Sequence, residues 1–404
     1  MSRDATSPDA RQATAVVLGA GIGGLAAAVG LARAGWAVTV LERAIALEPV
    51  GAGIALAPNA IRALDALGVA DEVRAMAALR GEIGIRRADG RWLVRADATA
   101  ASEAHGEATV VVHRARLVDL LVRALPDGTL RTGVEATVAD PGDANRPARV
   151  RVRRAPTDAG ADTLDADLVV AADGIDSRTR AALFPTHPGP VATGVVAWRF
   201  VVPEPDGLVP AETWGRGSVV GLAPLADGRV YGYATAVLPP GGRSDDEAAE
   251  LRRRFGTWHA PIPTIVAGLE SRDVLRHDLR WLATPLPRFD VGRVAFLGDA
   301  AHAMTPNLGQ GGCQALEDAV TLAVLLGAPD ASTVRTALAA YTAERLPRTR
   351  RVQRMSAQVG RPTTWTAPAA VAVRDALMSV VGRLAGPLLV RRTAPVVGWR
   401  PPRA

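Results

Sequence analysis

The sequence predicts an α/β fold: a parallel sheet wound with helices, a separate inserted sheet layer, and C-terminal helices. Three observations predict it. Near the N-terminus, strand, glycine turn, helix and strand follow one another as a complete βαβ unit. Two further buried-strand patterns, Asp167–Ala172 and Arg293–Leu297, exit into Asp173-Gly174 and Gly298-Asp299. Between them, from Val191 to Ala236, the texture changes to short strand-like runs broken by Pro and Gly.

Residues Met1–Ala13 are polar and read as a loose tail with no signal-peptide pattern. Thr14–Leu18 is the first strand, followed by Gly19-Ala-Gly21-Ile-Gly23-Gly24 and a helix over Leu25–Ala34 that Gly35 ends. Ala37–Leu41 is the second strand, closed by Glu42. Gly19 permits the tight turn, Gly21 lets backbone approach a pyrophosphate, and Gly24 lets helix and strand pack closely. An acid roughly twenty residues after such a fingerprint is placed to hydrogen-bond a ribose hydroxyl. The charge-free run Ala15 to Ala32 is nearly long enough to cross a bilayer, yet its glycines fit a buried strand and helix better.

Helical patterns follow at Asn59–Leu67 and Leu117–Leu125. Glu82–Arg87 and Arg91–Arg95 are short strand pieces expected to pair with the inserted layer. That layer comprises Val195–Val202, Ser218–Leu222 and Arg229–Val237. Asp140–Asp165 reads as a hairpin with a long surface connection, and Ala367–Val396 as helical and fairly apolar.

The predicted Gly311–Leu326 helix begins with small residues and carries Leu316, Val320 and Leu325 on an apolar face. A helix N-terminus approached over glycines presents free N–H groups and partial positive charge, so negative charge or carbonyl oxygens belong there. Near it, His302 reads as loop packing. Cys313 sits where a helix dipole can lower a thiol pKa, but reads as a small packed side chain. The adjacent acids Glu317 and Asp318 point to different faces and are expected to decorate the first turns.

At 404 residues the chain suggests two domains. The single cysteine, Cys313, excludes an intrachain disulfide and suits a reducing, cytoplasmic setting. The net charge is +6 and every cation is arginine, which a codon bias explains. Arginine is spread along the chain with no aromatic-interleaved basic face, so nucleic acid is not an expected partner. Without lysine there is no Schiff-base chemistry and no P-loop lysine. His105, His187, His259 and His277 lack metal-ligand spacing.

Three pieces coincide: the Gly19–Gly24 fingerprint with Glu42, Asp173-Gly174, and Gly298-Asp299 with Pro306 and its glycine run. With Gly51-Ala-Gly53-Ile-Ala55, Pro58-Asn59 and His113-Arg114, they resemble the single-component FAD-dependent aromatic hydroxylases, the group A flavoprotein monooxygenases. The match runs from Ala15 to about Leu346.

The resemblance implies a discontinuous Rossmann-like FAD-binding domain over 14–80, 101–184 and 285–350. The substrate layer, a mostly antiparallel sheet, would take 81–100 and 185–284, and C-terminal helices 351–404. It implies that Gly23 and its neighbours hold the pyrophosphate, and that Glu42 binds the adenosine ribose with Arg43 alongside. Gly53 and Ala55 join the cofactor contacts, Arg114 reaches the ribityl-phosphate part, and Val134 lies in the strand passing the adenine. Asp173-Gly174 and Arg178 resemble the motif serving both FAD and NAD(P)H, which has no fingerprint of its own. Asp299 bonds a ribityl hydroxyl. Backbone N–H groups of Gly309, Gln310, Gly311, Gly312 and Cys313 cradle the anionic edge of reduced flavin, and Pro306 shapes the oxygen-reacting face.

The implied activity uses NAD(P)H and O2 to hydroxylate a small aromatic or heteroaromatic ring through a flavin hydroperoxide, in a dry, substrate-gated pocket. Trp198, Arg199, Trp214, Tyr231 and Tyr233 are the candidate substrate contacts, Arg199 and Trp214 foremost. Aromatic residues on alternate strand positions equally suit a core. Alternatives are a tailoring oxygenase for a larger natural product, a flavin reductase that does not oxygenate, and a flavin-binding redox sensor. The halogenase Trp-x-Trp-x-Ile-Pro motif and lysine are absent. A monomer or homodimer without stable membrane insertion is expected.

Overall fold

The computed structural model describes residues 12–47, 52–76, 79–154, 162–384 and 393–403. Most of the N-terminal tail, Gly51, and part of the predicted Ala367–Val396 helix therefore lie outside the described residues.

Thr14–Leu18 lies at the heart of a six-stranded sheet, parallel to Ala37–Leu41 on one side and to Leu168–Ala171 on the other. Leu168–Ala171 in turn pairs in parallel with Val294–Phe296, and Asp290–Val291 closes that edge antiparallel. Ala15–Leu18, Leu168–Ala171 and Val294–Phe296 are buried on both faces, as parallel strands covered by helices must be. The consequence is positional. The strand ends that lead into Gly19, Asp173 and Asp299 stand side by side and point the same way, where ligands of open α/β sheets bind.

The helix Ile22–Arg33 is buried without interruption from Ile22 to Leu31. It packs against the Gly311–Leu326 helix, and the small residues make this close approach possible. A Cβ on Gly23 would lie 3.1 Å from Ala315 Cβ, and one on Gly30 2.9 Å from Ala323 Cβ.

The inserted layer is a seven-stranded sheet ordered Leu275–Trp281, Val191–Pro203, Arg229–Val237, Ser218–Pro224, Ala211–Trp214, Glu82–Arg87 and Trp92–Asp97. All neighbours are antiparallel except Ala211–Trp214 with Glu82–Arg87. The predicted Val195–Val202 strand is longer than its apolar run, reaching Val191–Pro203. Strand alternation divides this sheet's side chains. Val196, Trp198, Phe200, Val220 and Val230 pack under the helices Glu247–Phe255 and Ile262–Ala267. Arg199, Glu212, Trp214, Tyr231 and Tyr233 belong to the opposite face, which meets the first sheet's domain.

A three-stranded sheet of Glu135–Asp140, Ala148–Arg153 and Asp162–Ala166 contains the expected hairpin, whose connection 155–161 lies outside the described residues. The long helix Val334–Gly360 has no counterpart in the sequence reading. Pro368–Leu384 is helical.

Candidate functional site

At the strand ends a cavity of about 240 Å³ is lined by Gly19, Gly21, Glu42, Arg43, Val134, Asp173 and Gly174, with Arg178 at its edge. Its geometry is set mainly by backbone. Gly19, at φ +102°, donates its N–H to Leu41 O, and a Cβ there would sit 2.5 Å from Ala172 O. A Cβ on Gly24 would sit 2.0 Å from Gly19 O. Gly21 has nothing within 4 Å of that position, so the loop is open to a ligand there. Gly21 caps the Ile22–Arg33 helix without a side-chain bond, and the first turn holds no acid. The positive end of the helix faces the cleft uncompensated.

Glu42 accepts the N–H groups of Ala20 and Ala44, both at 2.8 Å, which fixes its carboxylate beside the loop. Val134 precedes the Glu135–Asp140 strand instead of lying within it, and donates to Glu42 O. Asp173 Oδ2 accepts from Thr179, while Oδ1 is buried with no partner in the chain. Arg178 pairs with Glu135. The residue that joins the two Asp-Gly-type turns is Arg180, absent from the sequence candidates. Buried, it donates to Ile175 O and to Ala300 O, and burial lowers its pKa.

Asp299 opens the short helix Asp299–His302 after Gly298 at φ +58°. It is exposed to solvent, yet its carboxyl pKa is raised by desolvation against the pull of His302, Arg114 and Arg180. Exposure with desolvation is the condition of a side chain lining a deep cleft. Arg114 begins the helix Arg114–Arg123, and its guanidinium lies within electrostatic reach of both Asp299 and His277.

The Gly311–Leu326 helix also starts without a side-chain cap or an acid in its first turn. A Cβ on Gly311 would meet nothing within 4 Å. Pro306 is exposed and begins a 3-10 turn, Pro306–Leu308, ended by Gly309 at φ +61°. Gly309 cannot contribute its N–H to a ligand, because it donates to Pro306 O at 2.8 Å; this corrects the expected cradle to Gln310–Cys313. The Gln310 side chain turns inward to Asn59 and Gln314. A Cβ on Gly312 would press on Ile54, and one on Gly53 would lie 2.3 Å from Tyr231 Cγ, so Gly53 serves packing between the two sheets. Cys313 is buried with its thiol toward Ala55 O and Gly309 O; burial pushes it up to about 12, overriding the dipole.

The largest correction concerns Glu317 and Asp318. Neither decorates a surface: both are fully buried and grip the equally buried Arg345, at 2.6 and 2.7 Å. Arg348 adds a second cation on Glu317, and Asn59 and Gln314 donate to the same carboxylate. Asp318 also accepts the Gly298 N–H at 2.9 Å and contacts His302 Nε2 at 2.5 Å. Burial alone would raise the Asp318 pKa; His302, Arg345 and the Gly298 N–H outweigh it and hold it at about 2. His302 otherwise packs on Phe289, as a loop-packing residue does.

On the sheet face, Arg199 approaches His277 Nδ1 at 3.4 Å and interacts with Tyr231. His277 is held below its ordinary pKa by partial burial first, then by Arg199 and Arg114. Tyr233 donates to Glu212, whose other oxygen accepts Trp214 Nε1 at 2.9 Å. Burial, then Glu212, pushes the Tyr233 phenol well up, so it stays a proton donor. Trp214 lines a separate cavity of about 400 Å³ with Trp258, Arg216 and Asp375. Trp198 is core, donating to Glu247 at 2.7 Å from the far face.

The donor set fits a dinucleotide that carries a ring. It offers two acid-free helix N-termini brought together by the Gly23–Ala315 contact, an unpartnered buried Asp173 oxygen, and open space at Gly21 and Gly311. A family model described as FAD binding domain matches residues 12–356. The chain is 37% identical over 372 residues to the aurachin C monooxygenase/isomerase of Stigmatella aurantiaca, covering 91% of this chain and 94% of that one. It is 32% identical over 354 residues to the FAD-dependent urate hydroxylase of Klebsiella pneumoniae, covering 83% and 86%. The crystal structure of Klebsiella pneumoniae HpxO with FAD and uric acid superimposes with a TM-score of 0.85 at 26% identity, covering 95% of this chain and 96% of that one.

Proposed function

The chain belongs to the FAD-binding-domain family of group A flavoprotein hydroxylases, and from that membership we propose an NAD(P)H-dependent monooxygenase hydroxylating a small aromatic or heteroaromatic ring. Bound FAD supplies the redox and oxygen-activating chemistry; the chain binds it, orients substrate and excludes water.

In this reading segments 14–80, 101–184 and 285–350 hold the cofactor, 81–100 and 185–284 the substrate, and 351–404 brace the body. The free N–H groups of Ile22–Gly24 meet the pyrophosphate, Glu42 the ribose, and Asp173 Oδ1 a ligand hydroxyl. Asp299, its pKa raised, takes the ribityl chain. The Gln310–Cys313 N–H groups and helix dipole favour an anionic flavin edge, worth about 0.3–2 kcal/mol.

Arg199, with Tyr231 and a neutral His277 beside it, offers donors to an acceptor or anionic oxygen on a planar ring. Trp214 acts at one remove, holding Glu212 and so Tyr233. Urate and aurachin C, named for two relatives, set the substrate class and no more. The solitary buried cysteine is in keeping with a cytoplasmic setting.

The observation that carries the reading is the pair of uncapped, acid-free helix N-termini packed against each other and against the Leu297–Gly298 strand end. The test is oxidation of NADH or NADPH by the FAD-loaded protein across aromatic acids, purines and quinolones. Ring-stimulated oxidation with O2 uptake and a product heavier by one oxygen is expected. Oxidation without oxygen incorporation, for every ring, would make the protein a reductase. With the accepted ring, Arg199→Gln should raise KM while FAD content is unchanged.

A further inference from the structure

The Pro368–Leu384 helix turns its charges inward and its apolar side chains outward. Arg374 and Asp375 are 3% and 8% exposed; Arg374 donates to Gly215 O, Pro362 O and Asp375. Val373, Leu377, Val380 and Val381 are 57%, 61%, 54% and 43% exposed. Ala369, Ala372 and Ala376 beside them are exposed too, so the outward stripe carries no charge until Arg383. Soluble monomers rarely leave so continuous an apolar stripe in water. Exposed Arg361 and Trp365 stand just before the helix, and exposed Arg383 at its end.

The C-terminal segment is also cationic. Residues 361–404 contain seven arginines and one acid, Asp375, a balance of +6. Arg345 and Arg348 before them are paired with the buried Glu317 and Asp318. Every charged residue after Asp375 is an arginine: Arg383, Arg391, Arg392, Arg400 and Arg403.

We propose that this helix docks the protein on an anionic lipid surface, with the Val373–Val381 stripe at the boundary between headgroups and acyl chains. Arg361 and Arg383, exposed at the two ends of the stripe, meet the headgroup charge. Charge also decides against a second copy as the occupant, because pairing this face with itself would bring two strongly cationic segments together. Attachment is peripheral: among the described residues no helix is long and apolar enough to cross a membrane. A Trp at the rim of such a stripe suits the headgroup level.

The test is flotation of the FAD-loaded full chain with phosphatidylcholine vesicles, with and without phosphatidylglycerol. Binding to the anionic vesicles is expected to exceed binding to neutral ones about tenfold or more and to fall with salt. The double variant Leu377→Gln/Val380→Gln should lose binding by a similar factor and keep its FAD absorbance. Should that variant fail to hold FAD, Arg383→Gln, at an exposed position, should still weaken anionic-vesicle binding. Absence of flotation, or equal binding to neutral vesicles, would overturn the proposal. So would a wild-type dimer in sedimentation that the double variant dissolves.

Discussion

At the Ile22–Arg33 helix the free N–H groups are held in place by nearby backbone and one carboxylate: Gly19 N–H on Leu41 O, Ala20 N–H on the Glu42 side chain, and glycines pressed against Ala172 and Gly19. At the Gly311–Leu326 helix the same device is anchored by side chains from far along the chain. Asn59, Gln310, Gln314, Glu317, Asp318, Arg345 and Arg348 form one buried polar network, and its Asp318 also fixes the Gly298 turn before Asp299. The difference follows from connectivity. The first helix leaves a strand directly, so a short turn and one acid suffice. The second is reached through Pro306–Gly309 and lies between helices, where only paired charges can be buried.

Breaking the side-chain anchor should do the most damage. Arg345→Met removes the buried cation shared by two buried carboxylates and is expected to cost about 3–5 kcal/mol in denaturant unfolding of the FAD-free protein. Glu42→Gln, beside half-open solvent, should cost far less while still weakening FAD. Equal losses for the two would erase the distinction drawn between the helices.

Acid provides the next largest effect. The Asp318 pKa, about 2 when folded, lies below the unfolded value near 3.9, so its stabilisation is complete above pH ~4 and disappears as pH falls toward 2. It amounts to about 2–3 kcal/mol. Asp299 runs the other way: its raised pKa makes ionisation unfavourable, so stability declines as pH rises from the unfolded carboxylate value through the folded one. Urea titrations of Asp318→Asn should show a flattened acid limb; an unchanged limb would refute the anchor.

Glycines separate ligand space from packing space. Gly21→Ala and Gly311→Leu enter open volume and should leave FAD-free stability within about 1 kcal/mol, with FAD affinity down tenfold or more. Gly24→Ala, pressed on Gly19 O, should unfold the protein before binding is in question. Retained FAD affinity in Gly311→Leu would remove the Gly311–Leu326 helix from the site. The smallest effect belongs to Cys313. With its thiol at about 12, maleimide should not label the native protein at pH 8, and Cys313→Ala should leave the flavin spectrum as it was.

What was legible in the chain was what is local. The turn, strand and acid of Gly19–Glu42 lie within one βαβ unit, and hydrophobic period and glycine placement specify it. The Gly311–Leu326 helix appears with the boundaries its residues suggest. Glu317 and Asp318 were misread because neighbouring helix positions look solvent-facing by period. Their partner Arg345 is 28 residues from Glu317, on a helix that the local pattern did not reveal. Arg178 and Arg180 are alike in sequence; only the nearness of Ala300 O makes the second one the bridge.

The sequence by itself determined the two glycine-opened helix starts, the acids beside them and the alternating strands, because backbone conformation and side-chain periodicity are short-range properties. The tertiary structure alone decided which face of the inserted sheet carries Arg199 and Tyr233 toward the cofactor domain. It alone buried Glu317 and Asp318 around Arg345, and turned the apolar stripe of Pro368–Leu384 outward. These depend on which surfaces meet, and burial, desolvation and charge pairing exist only once they have met.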